Sequence, residues 1–251
     1  MASPTRTVYS GPPLSGPGIL WVNSKITAPD KLSPELFKTW YEEVHIRDII
    51  AAKKGGVLAA WRYQCANPER PAPYLALYSI PDMGVLQTDQ FRAVPMGHEM
   101  LPEGGPILKF VNFDTRYYKK IQVFEKEGKT RPGRGVNINS AAIQPAEGME
   151  EELDRWYREE HLEKVSNEPG WIRSTRFELI FQVGDKGTTN TEVTPNWLAI
   201  HEFEADGLPG DRPKALEPVS ALTKKIVGNA IKVDAAKFTL IRGIGDESAP
   251  L

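Results

Sequence analysis

Two six-residue stretches, WYEEVH at 40–45 and WYREEH at 156–161, are nearly the same although they lie 116 positions apart. Similarity at a fixed offset is typical of a repeated structural unit. The flanks repeat as well, because apolar, β-branched segments precede the two hexamers at 18–26 and 136–144. The sequence therefore predicts two copies of one unit in a single chain.

Strand-like segments that follow the hexamers also match in pairs. The pairs are 58–64 with 173–179, 74–80 with 197–203, and 113–121 with 233–241. Each copy then reads strand, helix, strand, strand, helix, strand, which is the ferredoxin-like order with two helices on one face of an antiparallel sheet. The bare face of each sheet needs a partner. We therefore expect an α+β fold in which the two sheets pack into one intramolecular α/β barrel and enclose a pocket.

The repeats divide the chain into five segments. In order, these are a flexible N-terminal segment at 1–17, repeat 1 at 18–124, a linker at 125–135, repeat 2 at 136–245 and a C-terminal tail at 246–251. The linker is rich in charge and glycine, which suits an exposed connection. The insertion that shifts the offset between later strand pairs is expected in the polar loop 184–192.

Signals at the helix ends are clearest in repeat 1. Ser33 is a predicted N-cap and Pro34 fits the first helical position. The second helix of each repeat is weaker: 85–94 is short, and 212–231 is interrupted by Pro218, which should break or kink it.

Bulk composition bounds the class of protein. The 251-residue chain has a formal net charge of −2 and one cysteine, Cys65. Near-neutral charge gives no reason to expect nucleic acid or anionic membrane as a partner. A lone thiol favours a reducing compartment and, on a predicted strand, a core role. No apolar run approaches the ~18 residues that span a bilayer, and no secretory signal is visible. We expect a cytoplasmic protein.

The stretch KLSPELFKTWYEEVHIRDII at 31–50 resembles the first helix of the EthD-like family, in the dimeric α/β-barrel superfamily. Members usually build the barrel from two chains, so the resemblance implies a pseudo-dimer here, either monomeric or as a homodimer. It also implies no metal and no organic cofactor, and it places His45 at the mouth of the barrel cavity. Similar barrels include polyketide cyclases, decarboxylases, muconolactone isomerases and small monooxygenases.

Four histidines are the candidate acid–base groups, because imidazole titrates near neutral pH. His45 and His161 end the two hexamers, each four residues after a tyrosine, Tyr41 or Tyr157, whose hydroxyl is expected near the imidazole. We take His45, Tyr41 and His161 as candidate catalytic residues and Tyr157 as substrate-binding. The alternative is that each Trp-Tyr-x-x-x-His unit only packs a helix onto the sheet.

Other candidate substrate-binding residues lie on strands and in a loop. They are His201 and its counterpart Tyr78, the matched pair Arg62 and Arg176, and His98 in a loop that could cover the pocket. The tyrosine and histidine would be polar anchors in the barrel interior, and the arginines would hold a carboxylate or enolate. The alternatives are a satisfied core histidine, solvated arginines and an exposed His98.

Motifs for common cofactor or nucleophile classes are missing. The sequence has no phosphate-binding loop, no His-x-x-x-His metal pair and no Gly-x-Ser-x-Gly elbow. Together with the resemblance, this favours a cofactor-independent lyase, isomerase or cyclase acting on a small hydrophobic, aromatic or polyketide-like carbonyl compound. The open alternatives are a non-catalytic small-molecule binding protein, and a cofactor-free or haem-dependent monooxygenase on the same fold.

Overall fold

A computed structural model provides the structure of the chain. It describes residues 9, 11–129, 131–184, 193–214 and 216–251. Most of the expected N-terminal lead-in (residues 1–8 and 10) and most of the polar loop expected to hold the insertion (residues 185–192) lie outside the described residues.

Eight antiparallel strands form a closed barrel. In chain order they are β1 Gly18–Ile26, β2 Ala59–Cys65, β3 Tyr74–Ile80, β4 Val111–Phe124, β5 Asn137–Gln144, β6 Trp171–Gly184, β7 Trp197–Phe203 and β8 Lys232–Gly245. Around the barrel the order is β1-β3-β2-β8-β5-β7-β6-β4. Each half therefore has its own last strand beside its first, and the halves join through β2 with β8 and β4 with β6. This confirms the predicted tandem α/β barrel.

The helical segments lie between these strands. They are α1 Pro34–Thr39, a π-helical turn Trp40–His45, α2 Ile46–Ala52, α3 Asp89–Arg92, α4 Glu150–Trp156, a π-helical turn Tyr157–His161, α5 Leu162–Val165 and α6 Ala221–Gly228, with 3₁₀ turns at Met83–Gln87, Pro102–Gly104 and Ile107–Lys109. Within the described residues, none of these helices has the length and apolarity that a membrane crossing requires.

Local sequence explains where the helices begin. Ser33 caps α1 as predicted, because its Oγ accepts a hydrogen bond from the backbone N–H of Leu36 at 3.1 Å. The second helix of repeat 1 is reduced to one 3₁₀ turn and the four-residue α3. In repeat 2 the helix starts only after Pro218, where Ser220 caps α6 by accepting from the N–H of Thr223 at 2.9 Å.

The barrel interior is a packed apolar core. Alternate residues on strands of both halves point into it, and their side chains are nearly all buried. The large ones are Trp21, Trp61, Tyr63, Tyr118, Phe177 and Phe238. Ala249 and Leu251 of the C-terminal tail pack into the same core. The expected pocket between the two sheets is thus filled by side chains.

The linker between the repeats is not simply an exposed connection. Arg134 is 7% exposed and its Nη1 donates to the carboxylate of Glu202 at 2.8 Å. The backbone N–H of Gly135 donates to the other oxygen of that carboxylate at 2.9 Å. The end of the linker therefore satisfies a carboxylate that would otherwise be buried without partners.

Candidate functional site

The repeated hexamers form matching π-helical turns. In each turn a backbone N–H bonds to the carbonyl five residues earlier, from Ile46 to Tyr41 and from Leu162 to Tyr157. This spacing stacks the first residue of the hexamer on the last. The ring centroids of Trp40 and His45 are 4.8 Å apart, and those of Trp156 and His161 are 4.2 Å apart. An α-helical spacing brings together residues that are three or four apart, so it does not predict this stack of residues five apart.

The first cluster consists of Tyr41, Glu42, His45, Arg62 and Tyr78, each no more than 4% exposed. It lies between the helix and the outer face of the sheet. The hydroxyl of Tyr78 donates to that of Tyr41 at 3.2 Å. The Arg62 guanidinium carbon lies 4.5 Å from the centre of the Tyr41 ring. The imidazole of His45 meets the Tyr41 ring edge-on at 5.6 Å.

Charge in the first cluster centres on Glu42. One carboxylate oxygen lies 3.6 Å from Arg62 Nη1, and the other accepts from Arg242 Nη1 at 3.2 Å. Among the described residues, neither that Oε1 nor that Arg62 Nη1 has a hydrogen-bond partner, although both are buried. Arg242 was not among the site residues predicted from the sequence. These pairings leave one guanidinium N–H of Arg62 available to a ligand oxygen.

The second cluster consists of Tyr157, His161, Arg176 and His201 at the matching positions. One nitrogen of its guanidinium is clamped by two acceptors, since Nη1 of Arg176 donates to Gln122 Oε1 at 2.6 Å and to Asp154 Oδ1 at 2.8 Å. The guanidinium carbon of Arg176 lies 4.2 Å from the centre of the Tyr157 ring. Among the described residues, Nη1 of Arg62, the corresponding arginine of the first cluster, has no such acceptors.

Two imidazoles lie together in the second cluster. The rings of His161 and His201 are 5.4 Å apart and nearly perpendicular. Burial disfavours the imidazolium form and lowers the pKa of His161 to about 4, and the charge of Glu160 opposes this only in part. Burial, with the neighbouring His161 and Arg176, holds the pKa of His201 well below its usual range. Both rings are therefore neutral at neutral pH.

Both clusters take one residue from the other half of the chain. Arg242 lies on β8 opposite Arg62 on β2, and Gln122 lies on β4 opposite Arg176 on β6. The match between 113–121 and 233–241, extended by one residue, already pairs these two positions in the sequence. That extension is the signal that could have found them. Each cluster is thus completed across the junction between the halves.

All eight candidate residues from the strands and hexamers fall into these two clusters, but these clusters lie outside the barrel interior. Tyr78 and His201 were expected in the barrel interior and His45 at its mouth, while Arg62 and Arg176 were expected either to point inward or to be solvated. The structure places them between helix and sheet, because the alternate residues of the same strands fill the barrel core. Strand alternation identified which residues share a face, but it could not decide which face is inside.

His98 belongs to neither cluster. Its Nδ1 accepts a hydrogen bond from the backbone N–H of Met100 at 3.2 Å, and its side chain is half-buried. The loop around it contributes Met96, Met100 and Leu101 to the apolar core that also contains Tyr41 and Tyr78. The loop therefore covers the side of the first half on which the first cluster lies.

A separate cavity of about 400 Å³ lies near the end of β2. It is lined by Cys65, Asn67, Glu69, Arg70, Pro71, Asp211, Arg212, Pro213, Ala235 and Ala236. Cys65 is buried and burial raises the pKa of its thiol, which suits the predicted core role. Within the described part of the chain, no group of three or more metal-ligating side chains comes together.

Known structures share this architecture. The chain is similar to an anthrone oxidase-like protein (TM-score 0.53, 11% identity, covering 91% of this chain and 93% of that one). It is also similar to a protein from Lactobacillus acidophilus NCFM provisionally named a monooxygenase (TM-score 0.51, 12% identity, 93% and 98% covered). With the closed eight-stranded barrel, these likenesses show the dimeric α/β-barrel fold, here with both halves in one chain.

One curated relative is similar in sequence. It is the core atranone cluster protein 1 of Stachybotrys chlorohalonatus (strain IBT 40285), 26% identical over 208 residues, covering 75% of this chain and 82% of the relative. No protein-family model matches the chain. Membership of the EthD-like family therefore stays a prediction.

Proposed function

We propose that this protein is an enzyme of secondary metabolism that moves a proton on an apolar, aromatic carbonyl compound held at the first cluster. The observation that carries the proposal is the buried guanidinium of Arg62, one N–H of which is left without a hydrogen-bond acceptor among the described residues, in the same cluster as His45. The name of the curated relative, a cluster protein, supports secondary metabolism as the setting.

The chemistry follows from the types of group present. A substrate carbonyl oxygen would accept from Arg62 Nη1, and His45 would take a proton from a carbon that is conjugated with that carbonyl. The electron pair of the broken C–H bond then moves onto the oxygen as an enolate, which the guanidinium stabilises. Return of the proton at another carbon gives isomerisation, and loss of a leaving group gives elimination. The hydroxyl pair of Tyr41 and Tyr78 would orient the same oxygen.

Entry to this site requires movement of its cover. The first cluster is buried, and the loop that contains Met96, His98 and Met100 packs on its side of the sheet. We assign this loop as the lid of the proposed site. A substrate that replaces these methionines would meet a mostly apolar surface, which agrees with an aromatic substrate class.

Anthrone is a suitable probe because it is flat, apolar and carries an acidic C–H across the ring from its carbonyl. We expect the protein to accelerate exchange of that hydrogen in D₂O without oxygen, above the buffer rate, as followed by NMR. His45→Gln should reduce the enzymatic rate by roughly 10²–10⁴-fold. The matched variant His161→Gln should keep it within about threefold. Equal rates for wild type and His45→Gln would reject the role of His45.

Oxygenation is the second candidate, and the names of the structural neighbours favour it. The same carbanion could react with O₂, so that one anthrone and one O₂ give one anthraquinone and one water. Repeating the assay in air and measuring anthraquinone distinguishes the two outcomes. Binding of anthrone with neither exchange nor oxidation would favour the non-catalytic binding protein.

A further inference from the structure

The imidazole of His201 is held by a short chain of hydrogen bonds inside the second half. His201 is 1% exposed and its Nδ1 lies 2.8 Å from the Oγ of Ser174. The same Oγ accepts a hydrogen bond from the indole N–H of Trp171 at 3.0 Å. All three side chains are buried, so water does not compete for these contacts.

The chain fixes which nitrogen of His201 carries the proton. An indole nitrogen is only a donor, so the hydroxyl proton of Ser174 cannot go to Trp171. Among the described contacts, the acceptor left for that proton is Nδ1 of His201. Nδ1 then carries no hydrogen, and the neutral ring has its proton on Nε2.

This assignment leaves a buried donor without a partner. Nε2 of His201 is fully buried and has no hydrogen-bond acceptor within the described residues. Buried donors are nearly always satisfied, and an exception in a native fold needs an explanation. The neighbouring ring of His161, 5.4 Å away, is half-buried and gives this region its contact with solvent.

The surroundings favour a neutral ligand over an anion. The charge of Arg176 is already paired with the carboxylate of Asp154, and Gln122 accepts from the same Nη1, so an anion would compete with a carboxylate that is in place. The apolar part of the surroundings includes Trp156, Tyr157 and Leu162, with Trp197 partly buried against them. The charged groups near His161, Glu160 and Lys164, pair with each other at 3.5 Å. Burial keeps both imidazoles uncharged at neutral pH.

We infer that the second cluster is a separate binding site for a neutral aromatic ketone, whose carbonyl oxygen accepts a hydrogen bond from Nε2–H of His201. The site does not depend on the function proposed for the first cluster. His161 would be its gate, because its half-buried ring is the neighbour of the fully buried His201 ring. Trp171 and Ser174 are positioning residues that hold the required tautomer.

Benzophenone tests this inference because it is a neutral aromatic ketone without an acidic C–H, so it cannot undergo the exchange proposed for the first cluster. Long-range ¹H–¹⁵N spectra of the ¹⁵N-histidine-labelled protein should show the Nε2–H tautomer for His201. Benzophenone should then shift the Nε2 signal. Irradiation should cross-link the bound probe to the second half of the chain, as mapped by peptide mass spectrometry.

Variants separate the hydrogen bond from the fold. His201→Phe should weaken benzophenone binding by about tenfold or more, since it removes the donor. His201→Gln keeps an N–H donor and should stay within about threefold. Arg47→Gln, at an exposed position of the first half, should not change the affinity. The Nδ1–H tautomer, an unshifted Nε2 signal, or cross-links confined to the first half would each overturn the inference.

Discussion

The two clusters share one framework and differ in their chemistry. Each has a π-helical turn with a stacked Trp–His pair, a tyrosine and a guanidinium above that tyrosine. The first has the acid Glu42 where the second has Arg158, and Tyr78 where the second has His201. The duplicated scaffold therefore positions the groups, while single side chains decide whether a cluster offers a charged or a neutral site.

The residues at the third position of the two hexamers also differ in their exposure to solvent. Glu42 is 1% exposed and lies between two arginines. Its counterpart Arg158 is 51% exposed on its side chain and pairs with Asp154 on the helix surface at 2.6 Å. The same position in the hexamer is therefore inside the protein in one half and in water in the other. An ion pair at the first position should matter far more than one at the second.

The largest effect on stability is expected from neutralising the charged residue at the third position of the first hexamer. Glu42→Gln leaves the buried Arg62 without its carboxylate, so the free energy of unfolding should fall by about 3 kcal/mol. Arg158→Gln removes only an exposed pair and should change it by less than about 1 kcal/mol. Urea unfolding midpoints at pH 7 measure both. Equal losses for the two variants would show that the clusters do not differ in this way.

A smaller effect is expected from acid, and it belongs to the second cluster. The folded-state pKa of His161 is lowered to about 4, against about 6.5 in an unfolded chain. The unfolded state therefore binds more protons between these values, and stability falls as pH falls. This contribution is complete above pH 6.5 and is lost progressively toward pH 4. From pH 7 to pH 5 the loss should approach about 2 kcal/mol.

The variant His161→Gln removes the imidazole and so isolates its contribution to the pH dependence of stability. Its free energy of unfolding should change less between pH 7 and pH 5 than that of the wild type, by about the same 2 kcal/mol. The window lies above the usual pKa values of carboxylates, so their contribution is small. Parallel pH profiles for wild type and variant would mean that the His161 imidazole is not buried in its neutral form.

Much of this architecture can be predicted from the sequence because the chain contains the same unit twice, and the two copies can be compared with each other. The hexamer repeat and the paired strand segments give the unit, its order and its duplication, and these depend on apolar periodicity that any ferredoxin-like sheet must have. The N-cap at Ser33 and the break at Pro218 follow from local backbone chemistry. Such local rules need no knowledge of the tertiary structure.

The sites were less predictable because they depend on packing between distant segments. The helix-facing and barrel-facing sides of β2 and β7 are both apolar, so alternation alone cannot orient Arg62 or His201. The π-helical turn stacks His45 on Trp40, the fifth preceding residue, while Tyr41, the fourth, still meets it edge-on. Arg242 reaches the first cluster only because β8 pairs with β2 across the barrel junction.

The smallest expected effect concerns the hydroxyl pair of the first cluster. Tyr41→Phe removes one partner of the 3.2 Å hydrogen bond with Tyr78, and the free energy of unfolding should fall by about 1 kcal/mol. The matched variant Tyr157→Phe should cost less, because the contacts described for Tyr157 with Arg176 and His161 are made by its ring, which phenylalanine keeps. Burial raises the pKa of Tyr157 to about 12, so its hydroxyl carries no charge to lose.

A double-mutant cycle decides whether the two hydroxyls act together. If they do, Tyr41→Phe and Tyr78→Phe combined should cost less than the two separate losses added, with a coupling of about 1 kcal/mol. Additive losses would mean that the two hydroxyls bond independently to other groups. The proposed site would then lose the element that orients the substrate oxygen, while the Arg62 guanidinium, and with it the contrast to the clamped Arg176, would still stand.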